Sequence, residues 1–249
     1  MEWLDNAIIL ELGSFRESDV WVKLLTSQHG VISAFAFGGH RSRRRFCGCL
    51  GILNEIQVRV QTSRNGRFLN LQEASLINGP IQLRTNKNRF GAFINCIRFL
   101  EVVGVSSDAA PPVYTLMKEL FYFFEKNTQP YEIIPILFRL RIASEQGYAP
   151  IFSNCAKCGR LINNKGFFGI SDGIIVCSIC INYIKTPIAI GYESLELLKR
   201  VQLASPYDWK LSENTKSAAA QKYECTEIIN AFVEYHLGIT WSKGRFLKV

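Results

Sequence analysis

No stretch of this 249-residue chain approaches the roughly 18 to 20 consecutive apolar residues of a membrane span. The opening, MEWLDNAIILELG, puts acidic residues where a secretion signal needs a basic lead. Those two absences point to a soluble cytoplasmic protein with no membrane partner. Internal repeats and low-complexity tracts are missing too, which excludes a solenoid or a disordered linker. Histidine is scarce: only His29, His40 and His236 occur, none beside a nucleophile motif. H-E-x-x-H, G-x-S-x-G and G-x-x-x-x-G-K-[ST] do not occur, so zinc-protease, serine-hydrolase and phosphate-loop chemistry have no support. The expectation is a protein that is not an enzyme; a carboxylate pair assembled only by folding is the alternative left open.

Positive charge, in contrast, is plentiful and uneven. The formal net charge is +8, and residues 41–98 hold eleven basic residues against Glu55 and Glu73, a net of +9. The rest of the chain has 18 basic against 19 acidic residues, a net of −1. Excess confined to one segment favours a polyanion-binding face over general solubility tuning.

That segment overlaps a run of β-type sequence over residues 6–77. NAIILEL, VWVKLLT and VISAFAFGG are rich in β-branched and aromatic residues. In NEIQVRVQ, Ile56, Val58 and Val60 alternate with Gln57, Arg59 and Gln61, the period of a half-buried strand. Asn65 and Gly66 suit the positive φ angles of a tight hairpin turn, with RFLNLQEA returning as partner. Five short antiparallel strands fit a small barrel of the oligonucleotide-binding (OB) type.

Past Pro80 the period becomes helical. Phe90, Phe93, Ile94, Ile97, Leu100 and Val103 share one face, and Val113, Leu116, Met117, Leu120 and Phe124 another, after Pro111 and Pro112. A third helix is expected over about 131–146, with Pro135 in its first turns and Gly147 at its end. GYESLELLKRVQL and SENTKSAAAQKYECTEIINAFVEYHLG read as two more. The fold class is therefore α+β: an N-terminal five-stranded OB barrel over residues 1–80, then a helical domain over 81–249 with an inserted four-cysteine module at about 152–182.

Eight cysteines in a cytosolic chain argue for metal or free thiols rather than disulfides. Cys155-x-x-Cys158 and Cys177-x-x-Cys180 stand 18 residues apart, a four-cysteine zinc spacing, and Gly159 eases the first turn. Four thiolates would close the shell of one structural Zn2+ and leave no open position. The alternative is a metal-free or redox-active pair, although a redox motif needs only one C-x-x-C. Cys47, Cys49, Cys96 and Cys225 read as small apolar fillers.

The candidate nucleic-acid contacts form three groups: Arg41, Arg43, Arg44 and Arg45 in GGHRSRRRF; Arg64 and Arg67 around the hairpin tip; and Arg84, Lys87 and Arg89 where the strands give way to helix. Lining one groove, they would supply the phosphate contacts that dominate nucleic-acid affinity. A solvated charged face is the bland alternative. Trp21 and Phe68 are candidates for stacking bases, a core role being the alternative for each. Arg139 and Arg141 read as solvent-facing helix arginines, with attraction for an acidic peptide as the other possibility. An RNA-binding or transcription-associated protein with a zinc ribbon would carry the same groove, and a thiol-redox enzyme is a third class.

GYAP at 147–150, followed by CAKCG and CSIC, closely resembles the bacterial recombination mediators of the RecO family. ESDVWVKLLTSQHGVISAFAFGG, the basic loop after it and the closing HLGITWSKGRFL agree with the same pattern, so the resemblance spans nearly the whole chain. It implies an OB domain that binds single- and double-stranded DNA and a helical domain with a zinc module. It also implies annealing of complementary strands, binding to the C-terminal tail of the single-stranded-DNA-binding protein, and action with RecR to load RecA. Such a protein is cytoplasmic, sits at the nucleoid when on DNA, and makes or breaks no chemical bond.

Overall fold

Strand β1 (Glu2–Ser14) pairs along both of its edges, with β2 (Val20–Thr26) and with β4 (Glu55–Thr62). A bulge between Ile9 and Glu11 helps it to curl. With β3 (Gly30–Ala36) and β5 (Leu69–Asn78) the strands close a barrel in the order β1-β2-β3-β5-β4. The computed structural model describes residues 1–126 and 131–249. The barrel is not wholly antiparallel as expected. β3 and β5 run parallel over a short ladder, Ala34 opposite Leu69 and Phe35 opposite Asn70. Parity requires this: an odd number of strands cannot alternate in direction all the way round a closed ring.

The alternation in β4 sets the barrel core, with Ile56, Val58 and Val60 fully buried among Ile9, Val22, Leu24 and Leu71. The hairpin between β4 and β5 differs from the expected two-residue turn. Only Gly66 has positive φ; Asn65 instead accepts hydrogen bonds from the Ser63 hydroxyl (2.8 Å) and the Arg67 N–H (3.3 Å), and Ser63 closes a longer loop onto Phe68.

Helix α1 (Lys87–Val103) is followed by α2 (Ala110–Lys126), α3 (Ile134–Glu145), α4 (Tyr192–Leu203) and α5 (Thr215–Leu237). Between α3 and α4 lie three short strands, β6 (Gly166–Gly169), β7 (Ile174–Cys177) and β8 (Pro187–Ile190), in the order β7-β6-β8. A closing hairpin pairs β9 (Ile239–Ser242) with β10 (Arg245–Lys248). The described residues hold no helix long and apolar enough to cross a membrane.

The chain divides into two compact units, residues 1–90 with 104–126, and residues 91–103 with 127–249. In the first, α2 is fastened to the barrel by polar bonds. Tyr114 donates its hydroxyl to the buried Glu55 carboxylate (2.9 Å), Lys118 pairs with the same group (2.8 Å), and Asn78 donates to the Tyr122 hydroxyl (3.2 Å). Burial and this bond to Glu55 push the Tyr114 phenol well above its ordinary pKa. Glu125 accepts from the N–H groups of Ile81, Gln82 and Leu83, capping the turn that leaves β5.

Gly30, entering β3, has a φ of +73°, and a Cβ there would strike the carbonyl oxygen of Val105. Gly30→Ala is therefore expected to cost about 3 kcal/mol, read as a lower urea midpoint. An unchanged midpoint would show that the 104–106 segment yields freely.

In the second unit the core runs through Phe93, Phe99, Leu137, Phe138, Leu198, Ile228 and Phe232, all buried. Helix α5 starts at an Asn214 cap that accepts from Lys216 and Ser217 N–H, and it ends at Gly238 in the left-handed conformation.

Candidate metal centre and nucleic-acid interface

The first cysteine pair sits on a tight knuckle. Cys155 N–H donates to the Arg160 carbonyl (2.9 Å), Gly159 N–H donates back to the Cys155 carbonyl (2.8 Å), and Gly159 has a φ of +72°. The second pair straddles the end of β7: Cys177 is its last residue and Cys180 lies in the 3₁₀ turn Ser178–Tyr183. All four sulfurs fall within 4.8 Å of one another. The Cys158 and Cys177 sulfurs are 3.8 Å apart. Tetrahedral thiolates at a zinc–sulfur distance of about 2.3 Å stand about 3.8 Å apart, so the residues fit that ion. A disulfide needs about 2.05 Å.

Two of the sulfurs differ sharply in how readily they ionise. Burial would raise the Cys155 thiol, but N–H bonds from Cys177, Cys158 and Lys157 outweigh it and draw the thiol down to about 6. Cys180 is pushed up to about 12, by burial and then by its bonds with the other three sulfurs. A dication bound here would displace the protons that the thiols still hold. The cluster could hold a metal ion, and its donor set offers that ion no open position.

The module rests on a small apolar base. Phe168 on β6 is buried, with ring centroids 5.1 Å from Phe152 and 6.1 Å from Phe232 of α5, and Ile175 and Val176 are buried on β7. His236 bonds the Ile170 carbonyl at 2.8 Å and so ties the module to the end of α5.

The other two histidines contact side chains. His40 meets the Ser14 hydroxyl at 3.1 Å. His29 stacks on Trp3 at 3.9 Å and bonds Asp5 at 3.1 Å. Asp5 also accepts from the Ser27 hydroxyl and the Gln28 N–H. These are the residue types of a hydrolytic triad in the wrong order, because the carboxylate stands in the middle and His29 is not placed between Ser27 and Asp5 to take the serine proton.

The basic loop between β3 and β4 is pinned at several points. Phe46 and Cys49 are buried in the barrel core, Leu53 N–H donates to the Ile9 carbonyl, and Ile9 N–H donates to that of Asn54. Ala74 N–H reaches the Arg45 carbonyl at 2.9 Å. On this fixed frame Arg41, Arg43, Arg44 and Arg45 are exposed. Arg41 meets Glu17 at 3.4 Å, and Arg45 donates to the Phe37 carbonyl at 2.5 Å. Arg41 and Arg43 line an open groove of about 560 Å³ with His40 and Phe46. Arg44 and Arg45 line a second, of about 280 Å³, with Arg59 and Glu73. Arg59 is already held by Glu73 at 2.7 Å and by Glu2 at 3.5 Å.

The four loop arginines thus line two neighbouring grooves. Arg64 and Arg67 are exposed on the 63–68 loop, and Arg84 lies beside the end of the basic loop, bonded to the Ile52 carbonyl at 3.4 Å. Lys87 is exposed and Arg89 half-buried at the start of α1. Neither groove contains any of these five. Trp21 is half-buried with its indole laid over Gly13, while Phe68 is exposed. Cys47 is exposed and is not the apolar filler expected of it, whereas Cys49, Cys96 and Cys225 are buried.

Arg139 and Arg141 are not solvent-facing. Arg141 is held by Glu145 at 2.6 Å and by the Val201 and Ala204 carbonyls. Arg139 is 5% exposed and no carboxylate pairs with it among the described residues. It donates to Asn230 Oδ1 (2.5 Å) and Asn95 Oδ1 (3.3 Å), its Nε is unpartnered, and the Phe246 ring lies 4.8 Å from the guanidinium. Burial draws its pKa down to about 10. A cleft of about 110 Å³ opens at this side chain, between α5 and the β9–β10 hairpin.

Comparison with known proteins agrees with this architecture from end to end. The family model Recombination protein O N terminal matches residues 1–80, and Recombination protein O C terminal matches residues 86–245. DNA repair protein RecO of Nitratidesulfovibrio vulgaris strain Hildenborough is 42% identical over 254 residues, covering all of both chains. The proteins of the same name from Oleidesulfovibrio alaskensis and Solidesulfovibrio magneticus are 38% and 34% identical, again over all of both chains. With both halves matched in order and full-length relatives well above 30% identity, the chain belongs to the RecO family of DNA repair proteins.

Proposed function

We propose that the protein is a DNA-binding recombination mediator. It binds single- and double-stranded DNA, anneals complementary strands, and with RecR helps to load RecA onto DNA coated by the single-stranded-DNA-binding protein. Residues 1–80 are the nucleic-acid-binding part, and residues 81–249 the helical part, whose module at about 152–182 holds one structural Zn2+ through Cys155, Cys158, Cys177 and Cys180. The protein acts in the cytoplasm, at the nucleoid when on DNA, and changes no covalent bond.

The observation that carries this reading is the anchored basic loop. The His40 N–H donating to the Ser18 carbonyl before its exposed arginines, and Phe46 and Cys49 in the barrel core after them, fix the backbone that carries them. A loop whose backbone is already fixed loses little further backbone entropy on meeting phosphate, and neutralising both strands removes the repulsion that opposes annealing. Arg41, Arg43, Arg44 and Arg45 are the proposed phosphate contacts, with Arg64, Arg67, Arg84, Lys87 and Arg89 extending the track. The Arg139 cleft is the proposed seat for the tail of the single-stranded-DNA-binding protein, since a chain terminus supplies the carboxylate that this guanidinium lacks.

The test is annealing of complementary strands coated with the single-stranded-DNA-binding protein. Acceleration is expected; coated strands that stay apart would defeat the reading. Changing Arg43, Arg44 and Arg45 together to alanine should weaken single- and double-strand binding alike, by roughly 10- to 100-fold at low salt. It should also reduce the single-strand salt slope by about 2, at roughly 0.7 per phosphate contact. A loss confined to particular base sequences would refute the phosphate role, and a large preference for RNA over DNA of the same sequence would redirect the reading to an RNA-binding protein.

A further inference from the structure

Beside the basic loop the barrel keeps a group of aromatic rings out of its core. Phe35 lies on the outward side of β3, alternating with the buried Ala34 and Ala36. Three phenylalanines surround it: Phe15 from the β1–β2 connection at 5.0 Å between centroids, Phe37 from just past β3 at 6.3 Å, and Phe68 from just before β5 at 5.9 Å. The parallel β3–β5 ladder brings the last of these alongside. Phe15, Phe37 and Phe68 are 50%, 39% and 38% exposed. Folding has therefore brought rings from three separate segments together without burying them. Scattered single exposed apolar residues are ordinary, but a contiguous patch of this kind marks a binding surface.

The rim of the patch is cationic. The Arg16 guanidinium stands 5.3 Å over the Phe15 ring. Arg45 is bonded to the Phe37 carbonyl, and Arg64 and Arg67 share the loop that Ser63 closes onto Phe68. No acidic side chain pairs with Arg16, Arg45, Arg64 or Arg67 among the described residues. An apolar protein segment would satisfy the rings but leave four cations facing it. Bases joined by phosphates satisfy both.

We propose that Phe15, Phe37 and Phe68, backed by Phe35, form a stacking platform for unpaired bases, which makes this side of the barrel selective for the single-stranded state. The inference rests on the DNA-binding reading above and deepens it. Arginines alone bind phosphate whether or not the strand is paired. A duplex has already stacked its bases on one another and offers the rings no base faces, whereas an unpaired strand offers one per nucleotide. Phosphate contact and ring contact together therefore hold single strands more tightly, and they release a pair of strands once annealing has consumed the free faces.

The experiment compares fluorescence anisotropy on a single-stranded oligodeoxynucleotide and a duplex of equal length, with 2-aminopurine in the single strand to report stacking. Phe15→Ala with Phe68→Ala should weaken single-strand binding about 10- to 100-fold, abolish 2-aminopurine quenching, and leave the duplex affinity and the salt slope within about twofold. Phe15→Tyr with Phe68→Tyr should bind like the unaltered protein, and Phe15→Leu with Phe68→Leu, which keeps apolar area but no ring face, should behave like alanine. Should the alanine pair fold poorly, the tyrosine-to-leucine comparison decides alone. Parallel loss on both DNAs, or leucine binding as tightly as tyrosine, overturns the platform. If the ring variants change nothing while the arginine triple variant weakens both DNAs, the platform fails and the DNA-binding reading stands. If the unaltered protein binds neither DNA in a salt-dependent way, the reading itself fails.

Discussion

Cys155→Ser is expected to abolish retention of one zinc per chain and to lower the melting temperature of the second unit by on the order of 10 °C. The size follows from what the module lacks. Its three strands have four residues each, too short to be stable unaided, and its apolar base is small: Phe152, Ile162, Phe168, Ile175, Val176, Ile184 and Ile190, with Phe232 against Phe168. Structural zinc supplies an apparent ~10–16 kcal/mol in small finger modules, as much as a whole domain's ~5–15 kcal/mol. Cys155 is the most buried of the four, so its replacement also strands a hydroxyl where no water reaches, and it should cost more than replacing the exposed Cys158. Calorimetry with metal analysis reads the effect, and proteolysis should first cut within about residues 152–182. The contacts that anchor the arginine loop, through Phe46, Cys49, Leu53 and Ala74, lie within the first unit, so single-strand affinity should change less than threefold. A chelated, zinc-free protein that melts like the untreated one would sink the structural role.

Much of this was legible in the sequence, for identifiable reasons. Val58 and its neighbours announced β4 because Ile56, Val58 and Val60 are buried on one face while Gln57, Arg59 and Gln61 are exposed on the other. The cysteine spacing announced the cluster because a tetrahedral ion restricts how two knuckles can meet. Strands β6 to β8 escaped because GFFG, IIVC and PIAI are too short to show a period. The β9–β10 hairpin escaped because its turn uses Lys243 at φ 49° beside Gly244, where an asparagine would have signalled it. The fastening of α2 to the barrel rests on Glu55 and Tyr114, 59 residues apart, a pairing that only folding creates. The character of Arg139 was within reach: α3 buries Leu137, Phe138, Leu140, Ile142 and Ala143, apolar on all sides, and a helix with no wet face leaves an internal arginine nowhere to go but inward.

That arginine carries the second large effect. Arg139→Met should raise the stability of the free protein by about 1–2 kcal/mol, a few degrees in melting temperature, while weakening binding of the single-stranded-DNA-binding protein's tail by 100-fold or more. Burial draws the guanidinium's pKa down to about 10, so keeping it charged at neutral pH works against the folded state. That penalty is present in full below pH 10 and lessens only as pH rises above it, because the unfolded chain holds this proton more tightly than the folded one. Methionine removes the charge and fills the space, at the cost of leaving the Asn95 and Asn230 carbonyls unpaired, which reduces the gain. A buried cation seated among Trp241, Phe246 and two asparagine oxygens, with Glu234 lining the same cleft but not paired with it, is poorly compensated, and a tail carboxylate bound as proposed would form a strong pair in low dielectric. Thermal melts and anisotropy of a labelled tail peptide read the two effects. An amide-ended peptide should bind the unaltered protein no better than the free acid binds the methionine variant. An arginine kept for structure alone would give the reverse pattern, a less stable variant with unchanged tail affinity, and that result would remove the carboxylate seat.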